Sequence, residues 1–415
     1  MRWVRGRVAV AVAVGVLALL AGCSGDSDRS RGSDGKGDTG ARVPTSVGAM
    51  SPRIPSATDL PGFVAGVGFA SDGSGFALLA ECGEARCRQR VAVLDAGAGS
   101  WRLGRSPLPD VTGDLGITAG LVVLGPGRAL ITEGRWPPPD GTWFTGDGGR
   151  SWRRGSTKPS GTTPVVPKGG ALVEDCVRMD REGNGCERSR LAAVLPTTGE
   201  YRLLSVQPPL KVIRPAGEVA GDTEQGLLFA SGRDPRSGRL ALAVSEDRGR
   251  TWRPTRLTAS GTYGEPYGWS THVVAAAPAE PELRLQPQTL YAAQPGQLPD
   301  EDDVKNGLLA LHRSTDAGHT WERVWQHRTG VEPRSLLGAP VAAADGSLTV
   351  HGEAGVWRST DGGRSFARVS AGRGMSGSVT TTPLGYLWGD SLGAGSWRIS
   401  ADGVHWRSFE LGDRN

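Results

Sequence analysis

Between residues 95 and 406 one short pattern keeps returning, and it constrains the fold more than any other feature of the chain. Ser245-Glu-Asp247-Arg-Gly249-Arg-Thr251-Trp252 and Ser314-Thr-Asp316-Ala-Gly318-His-Thr320-Trp321 share S-x-D-x-G-x-T-W without a gap. Thr145-Gly-Asp147-Gly-Gly149-Arg-Ser151-Trp152 and Ser359-Thr-Asp361-Gly-Gly363-Arg-Ser365-Phe366 carry conservative changes, while Asp95 to Trp101 and Ser400 to Trp406 are one residue off. The closing aromatics fall at 101, 152, 252, 321, 366 and 406. The widest step hides a worn copy, Thr197-Thr-Gly199-Glu-Tyr201, and the next contains an insertion, so seven units result. Repeats of this period mark architectures in which each unit buries its apolar face only against its neighbours.

The residue types describe a turn. The aspartate can accept backbone N–H groups within its own tight loop, glycine supplies a positive φ, and the hydroxyl residue restrains the exit into the next strand. The aromatic then starts that strand and packs inward. Apolar runs such as Gly226–Ala230 and Leu240–Val244 precede the turns, giving four short strands per unit. The pattern resembles the Asp-box, or BNR repeat, of sialidases and many other propeller proteins. That resemblance implies an all-β, seven-bladed β-propeller over residues 59–415. It also implies structural roles for Asp147, Asp247, Asp316 and Asp361 and for Trp152, Trp252, Trp321 and Phe366, and none in catalysis.

The N-terminus reads as an address. Arg2, Arg5 and Arg7 precede an apolar run, Val8–Leu20, too short for a stable membrane span and suited to a signal-peptide core. It ends in Leu20-Ala21-Gly22-Cys23, which is similar to the bacterial lipobox. The resemblance implies a signal peptide over 1–22 and a lipidated Cys23 carrying palmitate-type chains. It places the protein on the extracytoplasmic face of the cell membrane, with the membrane touched through lipid alone. Residues 23–58 are rich in Ser, Gly, Asp and Pro and poor in aromatics, so they are expected to form a flexible linker.

Composition narrows the partners. The formal charge is +4, and three of the positive charges lie in the expected signal peptide. A nearly neutral chain has no electrostatic reason to bind nucleic acid. Glycine and proline occupy 63 and 28 positions, but 13 tryptophans spread along the length argue against disorder. Apart from Cys23, the cysteines fall as two local pairs, Cys82 with Cys87 and Cys176 with Cys186. Proximity and an exported location favour two short-loop disulfides over the other pairings.

In a propeller whose box joins the third and fourth strands, second-to-third loops and blade connections emerge on the opposite face. The irregular segments of this chain collect there, and recognition is expected on that rim, over blades 2 to 5. Tyr263, Tyr267 and Trp269 around Glu265 can stack on a sugar ring or peptide, or simply cover a blade junction. Trp136, before three prolines, reads as a hot spot or a channel plug. Asp300 to Asp303 offer oxygen ligands to Ca²⁺ or form a solvated acidic loop; no other cofactor is expected.

A sialidase would need three arginines clamping a carboxylate, a tyrosine with a glutamate partner, and an acid/base aspartate. Arg53-Ile54-Pro55 matches the Arg-Ile-Pro element of that family only superficially and reads as tether. Arg214, Arg334 and Arg373 fall near inner strands, but nothing pairs them with a tyrosine and a glutamate. Glu265 with Asp114 or Glu353 is an arbitrary carboxylate pair, and the six histidines are scattered. The expectation is a binding or scaffold module for an envelope glycan or protein, without catalytic residues. The alternative is a glycoside hydrolase or lyase acting at the channel mouth.

Overall fold

The computed structural model describes residues 50–112, 119–134, 141–181, 185–217, 227–257, 265–266, 270–278, 289–299, 301–370, 377–390 and 395–413. Cys23, Arg373 and Asp114 lie outside them. The described residues form seven sheets and no helix. Blades 1 to 7 span residues 63–104, 120–156, 162–204, 211–255, 265–326, 341–370 and 377–410. The body is a seven-bladed, all-β propeller.

The ring is held at its seams. Seven apolar clusters each join two blades, among them one around Phe76 and Ile131 between blades 1 and 2 and one around Phe69 and Phe409 between blades 7 and 1. The last of these closes the ring. Each closing aromatic enters the seam between its own blade and the one before: Trp101, Trp152, Tyr201, Trp252, Trp321, Phe366 and Trp406. The repeat therefore acts between blades as much as within them.

In the four close boxes the first hydroxyl donates to the aspartate Oδ1 at 2.7–2.9 Å. It also accepts the N–H of the fifth-position glycine at 2.7–3.0 Å. Oδ1 accepts the N–H of the seventh residue at 2.8–3.0 Å, and Oδ2 accepts its hydroxyl at 2.5–2.6 Å. The Ser151 hydroxyl and N–H hold the Asp147 carboxyl at about 2, against partial burial. Gly318 shows why the fifth position stays glycine: its φ is +86°, and a Cβ would sit 3.1 Å from Phe229 of the preceding blade.

Two blades depart from the simple meander. In blade 3 the strands Ala171–Met179, Cys186–Val194 and Tyr201–Leu204 are antiparallel neighbours, but Thr162–Thr163 pairs parallel with the outer edge of Tyr201–Leu204. In blade 5 the inner position is shared by Glu265–Pro266 and His272–Ala275, both paired with Leu290–Gln297.

The linker expected over 23–58 ends earlier than its composition suggested. Ala57 forms a parallel bridge with Leu411, its N–H bonds to Glu410 O at 2.8 Å, and its O accepts Gly412 N–H at 3.0 Å. Pro55 O accepts the Trp101 indole N–H at 2.9 Å, the Ser51 hydroxyl donates to His405 O, and Ile54 packs on the seam between blades 7 and 1. Residues 51–57 thus line the outer edge of blade 7 and tie it to blade 1. The element Arg53-Ile54-Pro55, read as tether, belongs to the folded body.

Candidate functional site

The first-to-second turn of blade 2 is bonded to its own box, with Gly148 N–H on Gly127 O at 2.8 Å, so these turns share one face. The opposite face carries the second-to-third loops, and both cysteine pairs sit there as disulfides, Cys82–Cys87 and Cys176–Cys186. The Cys176–Cys186 bridge staples the long hairpin of blade 3, which leans over the first strand of blade 4, Lys211–Gly217.

Between that hairpin and blade 4 lies a cleft of about 510 Å³, within the range of small-ligand sites. Arg178, Asp180 and Glu187 line it from blade 3, and Lys211, Arg214 and Arg233 from blade 4, with Val212 at its floor. Arg178 Nε is 2.9 Å from Glu187 Oε2, and Arg214 Nε is 3.5 Å from Glu174 Oε2. Burial holds the Glu174 carboxyl above the usual range, with the Arg214 guanidinium opposing. Among the described residues no acid pairs with Lys211.

The floor is a bulge held in an unusual conformation. Pairing jumps from Lys211↔Arg233 to Arg214↔Ser231, and Val212 stands at φ +50°. A β-branched residue there is strained by about 1–3 kcal/mol. Two contacts hold it: the buried Ser189 hydroxyl of blade 3 donates to Ile213 O at 2.7 Å, and Gly232 has no Cβ to strike Lys211 O, which would be 2.8 Å away. Val212 turns the chain so that Lys211 stands exposed at the cleft edge.

The residues singled out from sequence lie elsewhere. Trp136, Tyr263, Tyr267 and Trp269 fall outside the described residues, and Glu265 begins a two-residue strand paired with Gln297. Of the acidic loop, Asp300 lies outside, while Glu301 is 6% exposed and reaches Arg334 at 3.2 Å and His327, 1% exposed, at 3.4 Å. Asp303 is 3.6 Å from the same guanidinium. These contacts, with the small apolar cluster of Leu298, Val304 and Leu309, make the expected solvated loop a folded one. Arg334 is engaged there, and the Glu353 carboxylate accepts the N–H groups of Lys305 and Asn306. Tyr201, Tyr291 and Tyr386 are core residues. The cleft escaped sequence reading; its one sequence signal is the cationic spacing around Cys176–Cys186, which also suits a solvated hairpin.

No protein-family model matches the chain, and no curated protein does. Among solved structures it is similar to apo AztD from Citrobacter koseri, at 13% identity and a TM-score of 0.43, over 84% of this chain and 86% of that one. It is also similar to the GH93 α-L-arabinofuranosidase of Fusarium graminearum in complex with arabinobiose, at 12% identity and a TM-score of 0.36, over 83% and 90%. The intramolecular trans-sialidase from Ruminococcus gnavus matches at 13% identity and a TM-score of 0.35, over 88% and 98%. Likenesses this distant carry no functional argument.

Proposed function

We propose that this chain is a lipid-anchored, extracytoplasmic propeller that binds a component of the cell envelope, with the cleft between blades 3 and 4 as its ligand site. The observation that carries the reading is the cleft itself: a concave site stapled by a disulfide, floored by a strained bulge and edged by cations on two blades. Strain of this kind persists where the surroundings over-determine it, and it clusters at functional sites. The lipobox-like Cys23 supplies the address, and the linker lets the folded body reach the wall or neighbouring proteins.

The test is co-sedimentation of the full chain with purified cell-envelope material. Lys211→Trp, an exposed position at the cleft edge, fills the site without touching the core. It should abolish co-sedimentation while leaving the thermal midpoint unchanged; retention equal to wild type would reject the cleft as the ligand site. A glycosidase reading draws on Glu174, since a half-buried carboxyl with a raised pKa beside a cleft suits a general acid. Its check is release of reducing sugar from envelope glycans, abolished in Glu174→Gln.

A further inference from the structure

We propose that the cleft between blades 3 and 4 takes an oxyanion carried on an envelope glycopolymer, as a phosphodiester or a sugar carboxylate. This rests on the reading of that cleft as the ligand site and adds the chemistry of what enters it.

Charge is the first argument. Four cations, Arg178, Lys211, Arg214 and Arg233, line the cleft against two acids, Asp180 and Glu187, in a chain whose whole formal charge is only +4. The basic edge continues along the 234–239 turn through Arg236 and Arg239. There the one acid, Asp234, accepts the N–H groups of Arg236 and Ser237 at 2.7 and 3.1 Å.

Strand register is the second and sharper argument. Lys211 and Arg233 are cross-strand partners at the cleft edge, while on the facing hairpin Arg178 lines the cleft paired with Glu187. Like charges placed directly opposite destabilise a strand pair. Here the pair stands at the edge of a concavity that the Arg178 and Arg214 side chains also line. An oxyanion in the cleft turns that opposition into attraction, and the Arg178 and Arg214 side chains, paired with Glu187 and Glu174, stand in the same lining.

The chemistry of the walls selects the carrier. Among the described lining residues only Gly185, Cys186 and Val212 carry no charge, which suits a charged, hydrated group better than the apolar anchors that peptides use. Its concavity suits a group projecting from a chain better than a flat lipid surface. A polymer with repeated charge also matches a basic edge that extends beyond the cleft.

The experiment measures binding of the full chain, in detergent micelles, to four probes: poly(glycerol phosphate), polygalacturonate, poly-L-glutamate and neutral dextran. Lys211→Gln and Arg233→Gln remove charge at exposed positions while keeping volume. Binding to one or both anionic glycopolymers, weakened about tenfold by each substitution and further by salt, supports the proposal. The preferred polymer tells phosphodiester from carboxylate. Equal binding of poly-L-glutamate with the same sensitivity would overturn the glycopolymer carrier, and binding no tighter than dextran would overturn the oxyanion. If Lys211→Trp abolishes envelope binding while both Gln variants retain it, the oxyanion fails and the cleft stands. If none of the three variants changes it, both fail.

Discussion

Replacing Tyr386 by phenylalanine tests how the ring is held together, because one hydroxyl there links three blades. Tyr386 lies on the second strand of blade 7, Gly385–Asp390. Its OH accepts the N–H of Ala342 in blade 6 at 3.1 Å. It donates toward Ala342 O at 3.0 Å, with Ala275 O of blade 5 at 3.2 Å. Burial pushes the phenol above its ordinary pKa, so the group stays a neutral donor and acceptor. In Tyr386→Phe the Ala342 carbonyl keeps the Ala277 N–H at 2.9 Å, whereas the Ala342 N–H, on a residue 1% exposed, loses its partner. One buried donor left unsatisfied costs about 1–3 kcal/mol. An unfolding entropy of about 2 cal/mol/K per residue makes that a fall in thermal midpoint of about 1–4 °C for a body of this size. Calorimetry reads the midpoint, and hydrogen exchange reads the Ala342 amide, which should exchange at least about fivefold faster. An unchanged midpoint with undiminished protection at Ala342 would refute the three-blade link.

Acidification should destabilise the fold before the box aspartates titrate. Burial, helped by Arg398, holds His351 at about 4, and burial lowers His272 and His327 as well. Below an unfolded value of about 6.5 the unfolded chain binds more protons, so stability falls with pH, and His351 alone contributes about 2 kcal/mol of loss between pH 7 and 4.5. Urea unfolding of His351→Gln should show a loss smaller by that amount, and an identical pH slope would contradict the assignment. Ala57→Asp puts a charge at a site 8% exposed and should cost about 2–4 kcal/mol in denaturant unfolding, where a free linker at that position would give no change. Cys23→Ala should move the chain from the membrane fraction to the soluble fraction with its thermal midpoint intact; retention in membranes would exclude lipid anchoring at Cys23.

The blades were legible because the box carries its chemistry within eight consecutive residues, and even the worn copy at Thr197–Tyr201 kept its seam aromatic. The end of the linker was not. Residues 51–57 contain few apolar side chains and are fixed by backbone pairing with a strand some 350 positions away, which leaves no local trace. The cleft was hidden for a related reason. Its cations come from two blades, read singly as solvated surface, and acquire meaning only through the register that sets Lys211 against Arg233. Val212 at φ +50° runs against the preference of a β-branched residue, so no propensity rule would have placed a bulge there. Glu301 looked like part of an acidic, solvated run until Arg334 and His327, 33 and 26 residues on, closed over it.

Hydrogen–deuterium exchange of the full chain with and without the bound envelope polymer tests the central claim most directly. A ligand seated between blades 3 and 4 slows exchange in 176–181, 185–190, 211–214 and 232–234 and leaves the box turns at 145–152 and 314–321 unchanged. Protection confined to the box face, or to the inner strands of other blades, would contradict the cleft as the binding site.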